Sequence, residues 1–433
     1  MAYLPSVILL LLAVAGVWVS SRMFGHPISP FSVFYGGWFF TLALFFLRWV
    51  EYTPVRAQAW SLIVLNLVSF GFGWILAYLL QRPSTSHVPI QAAAESVSAE
   101  RLRKVICLSF ALGMVGIFDF LRRVQGLLGL ITFIAAPHEI RQAMTIGGGL
   151  DEGIKPFNWL NVMTVVLCAF YLGVFRNERR SLVWVILFTS IVATLFMEDR
   201  TRFFYALLWA GYVLAHVRRL NTRKLLAAVL VLAVVLALEF FLVAAWVGKI
   251  ASNNPTLLQA ATIDEDFFPL LTPYSYLTGS YPALQAYLDT QPDSTAGAMT
   301  FYPAFKVLRS FNPSLKAPQI VAEPVAIPSE VNTFTWLHQF YTDFGVAGVI
   351  LCPLAVAFFA GLVYFRMLQT KNFYFIYANG LISFGLTLSF MVNHLTSGPA
   401  WYFLAVNILV SKYVRRDNPP ESARAMQLHL APS

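Results

Sequence analysis

Charge is scarce in this chain. Asp, Glu, Lys and Arg make up 12% of its 433 residues, about half the share usual in a soluble domain. Apolar residues supply 58%, which excludes both a water-soluble globule and a disordered chain. Cysteine is rare too. Cys107, Cys168 and Cys352 all fall inside apolar runs, so neither a disulfide framework nor a thiolate metal site is expected. No GxGxxG, Walker A, CxxC or HExxH motif occurs, so the usual signatures of nucleotide and zinc chemistry are missing. No internal repeat is visible, inverted or parallel.

Apolar runs of about 18–20 residues, long enough to cross a hydrocarbon layer as helices, recur along almost the whole length. Eleven are expected, at about 3–20, 29–48, 58–80, 104–118, 157–175, 181–197, 202–217, 224–248, 344–366, 373–391 and 397–412. The fold class is therefore all-α, a polytopic membrane protein with residues 1–433 forming one integral membrane domain. Leu4–Val19 lacks a basic flank before it and a small-residue cleavage pattern after it, and reads as a retained helix. The net charge of +9 then records topology, not nucleic-acid binding. Arg22, Arg101, Arg103, Lys104, Arg180, Arg218, Arg219, Arg366, Lys412, Arg415 and Arg416 gather on one side of the alternating runs. That side is cytoplasmic by the positive-inside rule. The tail 413–433 lies there and the N-terminus lies on the opposite face.

Two outer segments are substantial. The first, 119–156, reads as an interfacial helix (FLRRVQGLLGLITFI), a second helix opened by Pro137, then Gly147–Gly149. The second, 249–342, is rich in Tyr, Phe and Leu and punctuated by proline, and is expected to fold as short helices.

Candidate chemistry lies on that face. In MEDRTRFF, residues 197–204, Arg200 and Arg202 stand near the start of a span. Unpaired N–H groups and the helix dipole favour an anion there, and guanidinium forks would complete a phosphate cradle. The competing reading has these arginines neutralising Glu198 and Asp199 at the headgroups. Arg141 is a third candidate cation, or a solvated partner of Glu139. His338, the one histidine of the long loop, suits proton transfer near neutral pH. It stands among Asn332, Trp336, Tyr341 and Asp343. His338 and Tyr341 share a helical face, whereas pairing with Asp343 needs a bend, which Asp343-Phe344-Gly345 is placed to supply. Asn393 and His394 open a short turn on the same face, as assistants or helix caps. Asp264-Glu265-Asp266 reads as a solvated turn without metal-ligand spacing.

The layout resembles the oligosaccharide repeat-unit polymerases, or O-antigen polymerases. The echoes are MEDRTRFFYALLWAG, YSYLTGSYPALQAYL with GAMTFYPAFKVL, and VNTFTWLHQFYTDFGVAGVILCPLAVAFFAGLVYF, within about residues 119–366. The resemblance implies a periplasm-facing glycosyltransferase of the bacterial inner membrane. It would lengthen an undecaprenyl-diphosphate-linked oligosaccharide as part of lipopolysaccharide biosynthesis. Partners would be that lipid-linked substrate, membrane lipids and, as a candidate, a chain-length-determining co-polymerase. No cofactor or metal is implied, because a lipid diphosphate already leaves well. Arg200, Arg202 and Arg141 would hold phosphates, and His338, oriented by Asp343 or Tyr341, would deprotonate the acceptor hydroxyl. Tyr274, Tyr276 and Trp336 would stack on sugars, with Asn332 and His394 nearby. The arginine-x10-glycine pattern associated with the family's two periplasmic loops is matched by Arg200 and Gly211, but Gly211 falls within a span. The related O-antigen ligases are expected to place a histidine near the end of the long loop, as His338 is, and so remain an alternative, as does a lipid-linked oligosaccharide flippase.

Overall fold

A computed structural model describes residues 3–24, 26–81, 91–127, 129, 131, 135, 154–175, 180–196, 200–218, 222–246, 254–315, 318 and 323–416, without the side chains of 91, 92, 196, 200, 222, 225, 239 and 243–246. The protein is all-α. Among the described residues, eleven helices of 15 residues or more overlie the expected apolar runs. Five are long and apolar enough to cross a membrane: Leu4–Phe24, Ala57–Gln81, Ala99–Leu127, Lys155–Val174 and Leu337–Thr370. The described strands are two residues each, Val325–Ala326 and Glu330–Val331, paired antiparallel.

One expected boundary is corrected. The helix from Ala99 does not stop near residue 118 but continues to Leu127. Asp119 holds Arg122 at 3.0 Å and Arg123 at 3.1 Å one turn on, and such i,i+3 and i,i+4 pairs favour continuing the helix. The start of the expected interfacial helix is thus the end of the preceding one. The Pro137 helix, Arg141 and Gly147–Gly149 lie outside the described residues.

The described chain divides into two units. The first takes its residues from 1–85, 250–366 and 381–402. Its core is aromatic: Phe34 stacks on Phe70 at 3.7 Å, the Trp38 indole donates to Ser389 at 2.9 Å, and Trp336 donates to Asn66 at 3.1 Å. Helices approach closely at Gly73, where a Cβ would fall 2.1 Å from the Leu354 carbonyl oxygen.

The long loop folds as short helices, Pro255–Gln259, Leu271–Thr278, Ser280–Asp289 and Tyr302–Phe311, with a 3-10 turn at Glu265–Leu270. Proline supplies the fixed φ of the first turn at Pro255 and Pro303, and Asn254 caps the former by accepting the Leu257 N–H at 3.1 Å. The connection after the Pro30–Phe45 helix is stitched to this loop. Glu51 N–H donates to Ala260 O at 2.8 Å, and Thr262 N–H to Trp49 O at 3.0 Å. Tyr274 stacks on Trp49 at 5.1 Å while its hydroxyl donates to Leu44 O and accepts the Trp49 N–H.

The second unit takes its residues from 86–249, 367–380 and 403–433. Lys155–Val174 is its most enclosed helix. Asn161 donates to Gly113 O at 3.0 Å and Thr164 meets Ser109 at 2.7 Å, two polar contacts across helices of the kind that suits a hydrocarbon setting.

Candidate functional site

The helix Leu337–Thr370 opens with a polar turn, LHQFYTD, before an uncharged stretch from Phe344 to Tyr364. Gly345 interrupts it at φ 60°, ψ −146°, a backbone state that strains any L side chain. The bend expected between Asp343 and Gly345 is found here.

What it positions differs from expectation. Asp343 is buried and does not orient His338. One carboxylate oxygen accepts the Thr295 hydroxyl and the Met299 N–H at 3.1 Å, and the other accepts the Thr300 N–H at 2.6 Å. Thr295 N–H and the Ser294 hydroxyl reach the carbonyls of Thr342 and Asp343. Asp343 is a clamp that fixes 294–300 onto the head of the helix.

His338 is 4% exposed. Its Nδ1 donates to Thr335 O at 3.0 Å, and the ring lies 5.5 Å from Tyr287 and 5.2 Å from Phe334. Nε2 has no hydrogen-bond partner among the described residues. A proton added there would place a charge among aromatic rings with no acceptor in reach. Aromatic side chains, not an open hollow, flank this imidazole.

Two expected sugar platforms are also corrected. Trp336 is fully buried between Phe34 and Phe340, and Tyr274 is occupied by Trp49. Neither offers a free ring face. Tyr276 is partly exposed and Asn332 exposed. His394 lies 5.1 Å from Phe384, and burial pushes its imidazole down to about 4. Asp264, Glu265 and Asp266 form an exposed turn as expected.

Tyr341, on the same opening turn, faces a different place. It lines a cleft of about 760 Å³ with Arg56, Gln58, Asp289, Gln291 and Pro292. Gln285, 1% exposed, organises this cleft. Its carbonyl oxygen accepts the Arg56 N–H at 3.1 Å and its amide donates to Asp289 Oδ1 at 2.9 Å. Arg56 Nη1 reaches the same Oδ1 at 3.2 Å, and Asp289 lines the cleft. Sequence reading missed Arg56, Gln285 and Asp289. The available signal was the i,i+4 spacing of Gln285 and Asp289 on one helix, together with an arginine on the arginine-poor side.

In the second unit, Arg200 opens the helix Arg200–Val217, and its side chain and residues 197–199 lie outside the description. Arg202 is 1% exposed, with its guanidinium 4.8 Å above the Trp159 ring, which meets Tyr205 edge-on at 5.5 Å. The expected open cradle is corrected at this residue to a buried cation–π contact. Among the described residues no group of three His, Cys, Asp or Glu is placed to hold a metal.

These features define a helical membrane protein with a polar cleft at the head of one apolar helix. Comparison with protein-family models, curated proteins and solved structures returned no match.

Proposed function

We propose that the chain is an eleven-span glycosyltransferase of the bacterial inner membrane, with a periplasmic N-terminus and a cytoplasmic C-terminus, that lengthens a lipid-diphosphate-linked oligosaccharide. The observation that carries this reading is the cleft at Tyr341. Its volume falls within the range of small-ligand sites. Its lining of amide, carboxylate, guanidinium and phenol groups suits a molecule covered in hydroxyls. It includes Tyr341, on the polar turn that opens a helix whose next stretch is uncharged, which suits a substrate carried by a lipid.

Asp289, not the enclosed His338, takes the acid–base role, because it lines the cleft. The acceptor hydroxyl gives its proton to the Asp289 carboxylate, and its oxygen bonds the donor's anomeric carbon. The bond from that carbon to the diphosphate oxygen breaks, and the lipid diphosphate departs with the electron pair. Arg56, which lines the cleft, supplies a cationic contact for a phosphate.

The test is chain extension by purified protein supplied with lipid-linked oligosaccharide, read as a ladder on a gel. A ladder from the native chain supports the reading; a single unextended species opposes it. In cells lacking the gene, single repeats still attached to the lipid core indicate polymerisation. Loss of all attachment would point to a ligase instead.

A further inference from the structure

The helix Tyr302–Phe311 is the most amphipathic of the long loop. At 100° per residue, Phe301, Ala304, Phe305, Val307, Leu308 and Phe311 fall on one half of its circumference, and Tyr302, Lys306, Arg309 and Ser310 on the other. In a helix packed on a protein core the apolar half would be covered. Here most of it is bare: Phe311 is 83% exposed, Val307 59%, Leu308 50% and Phe301 49%, Ala304 and Phe305 are half-buried, and no residue of the helix is fully buried.

Its anchorage says what covers it. Asp343 grips the N–H groups of Met299 and Thr300, and the Gly297 backbone lies against the Phe344 ring, which a Cβ on Gly297 would meet at 3.1 Å. Phe344 is the first residue of the uncharged stretch that runs to Tyr364. The chain therefore leaves the clamp where the apolar span begins and enters the helix two residues later. Ten residues make a rod of about 15 Å, half the thickness of the hydrocarbon layer and too short to span it. Lys306 and Arg309 are exposed on the polar half, as in helices that lie along a phospholipid surface.

We propose that Tyr302–Phe311 lies in the plane of the membrane interface, its apolar half among acyl chains and Lys306 and Arg309 on the phosphates of anionic lipid. The helix pins the long loop to the bilayer through a contact that is independent of the glycosyl transfer proposed above.

The test uses the full chain with C107A, C168A and C352A, reconstituted in nanodiscs of phosphatidylcholine and phosphatidylglycerol. A nitroxide is placed in turn at F311C, L308C and K306C. Labels at 311 and 308 are expected to meet dissolved oxygen more readily than a water-soluble nickel complex, and the label at 306 the reverse. If all three favour the nickel complex, the helix stands in water and the proposal is overturned. If 311 and 308 are shielded from both reagents, protein covers the face (a second copy or another part of the chain) and the proposal is equally overturned. Should the cysteine-free chain fail to fold, F311W and K306W in the native background replace the labels. Brominated lipid should then quench added fluorescence at 311 and not at 306, and equal quenching at both sites would overturn it.

Discussion

Asp343 accepts the backbone N–H of Thr300 at 2.6 Å across 43 residues of sequence. The carboxylate that sequence reading set beside a catalytic histidine is instead the rivet holding the long loop to the head of a helix. A buried carboxyl group that receives two N–H groups and a hydroxyl has both oxygens satisfied as acceptors. Its removal would orphan every one of those donors.

Asp343→Ala is therefore expected to destabilise the loop by about 1–3 kcal/mol for each donor left unsatisfied. Limited proteolysis should cut first within residues 290–301, with Asp343→Asn intermediate because its amide keeps one acceptor. A cleavage pattern identical to that of the native chain would remove the clamp.

Asp289→Asn keeps the size of the side chain and its contact with Arg56, but lacks a strong proton acceptor. Chain extension is expected to fall by about 10²–10⁴-fold without loss of folded protein, while Arg56→Gln should act more weakly. The measurement is initial extension rate against detergent-solution melting temperature. An Asp289→Asn protein that extends glycan at the native rate would end the proposed role of Asp289 as base.

His338 is enclosed by rings, so a ring should replace it. His338→Phe is expected to hold stability to within about 1.5 kcal/mol, losing the Thr335 contact but also removing an unpaired buried nitrogen, and to retain chain extension. His338→Asp should unfold the region, because it buries an unpaired charge. Loss of extension in a folded His338→Phe protein would return the histidine to catalysis.

Burial holds the His394 imidazole at about 4, below its ordinary value of 6.5. The unfolded chain then binds this proton at higher pH than the folded one. No penalty applies above about pH 6.5; it grows as pH falls and is complete below about pH 4. His394→Gln should flatten that part of the melting-temperature profile. Parallel profiles for the two proteins would assign the acid sensitivity elsewhere.

The positions of the long helices were legible because hydrocarbon-length apolar runs leave little freedom in placing them. The broken helix head was legible too, since glycine beside Asp343 marks a backbone that must turn. The partners were not. Nothing local distinguishes an Asp343 that orients a histidine from one that caps a loop folding back from 43 residues away. Trp336 and Tyr274 looked like sugar platforms because aromatic residues serve both exposed stacking and buried packing, and only the long-range neighbours Asn66 and Trp49 separate the two uses. The cleft escaped notice for the same reason: Arg56 and Asp289 lie 233 residues apart.

The stacking of Tyr274 on Trp49, with the backbone pairing around Val50 and Ala261, makes a short inter-helix connection a crossbar of the long loop. A pull on either strand of that seam is borne by both. Insertions at residues 50–53, which hydropathy alone would rate harmless, should therefore be transmitted to the Ser280–Asp289 helix and change the width of the cleft at its far end.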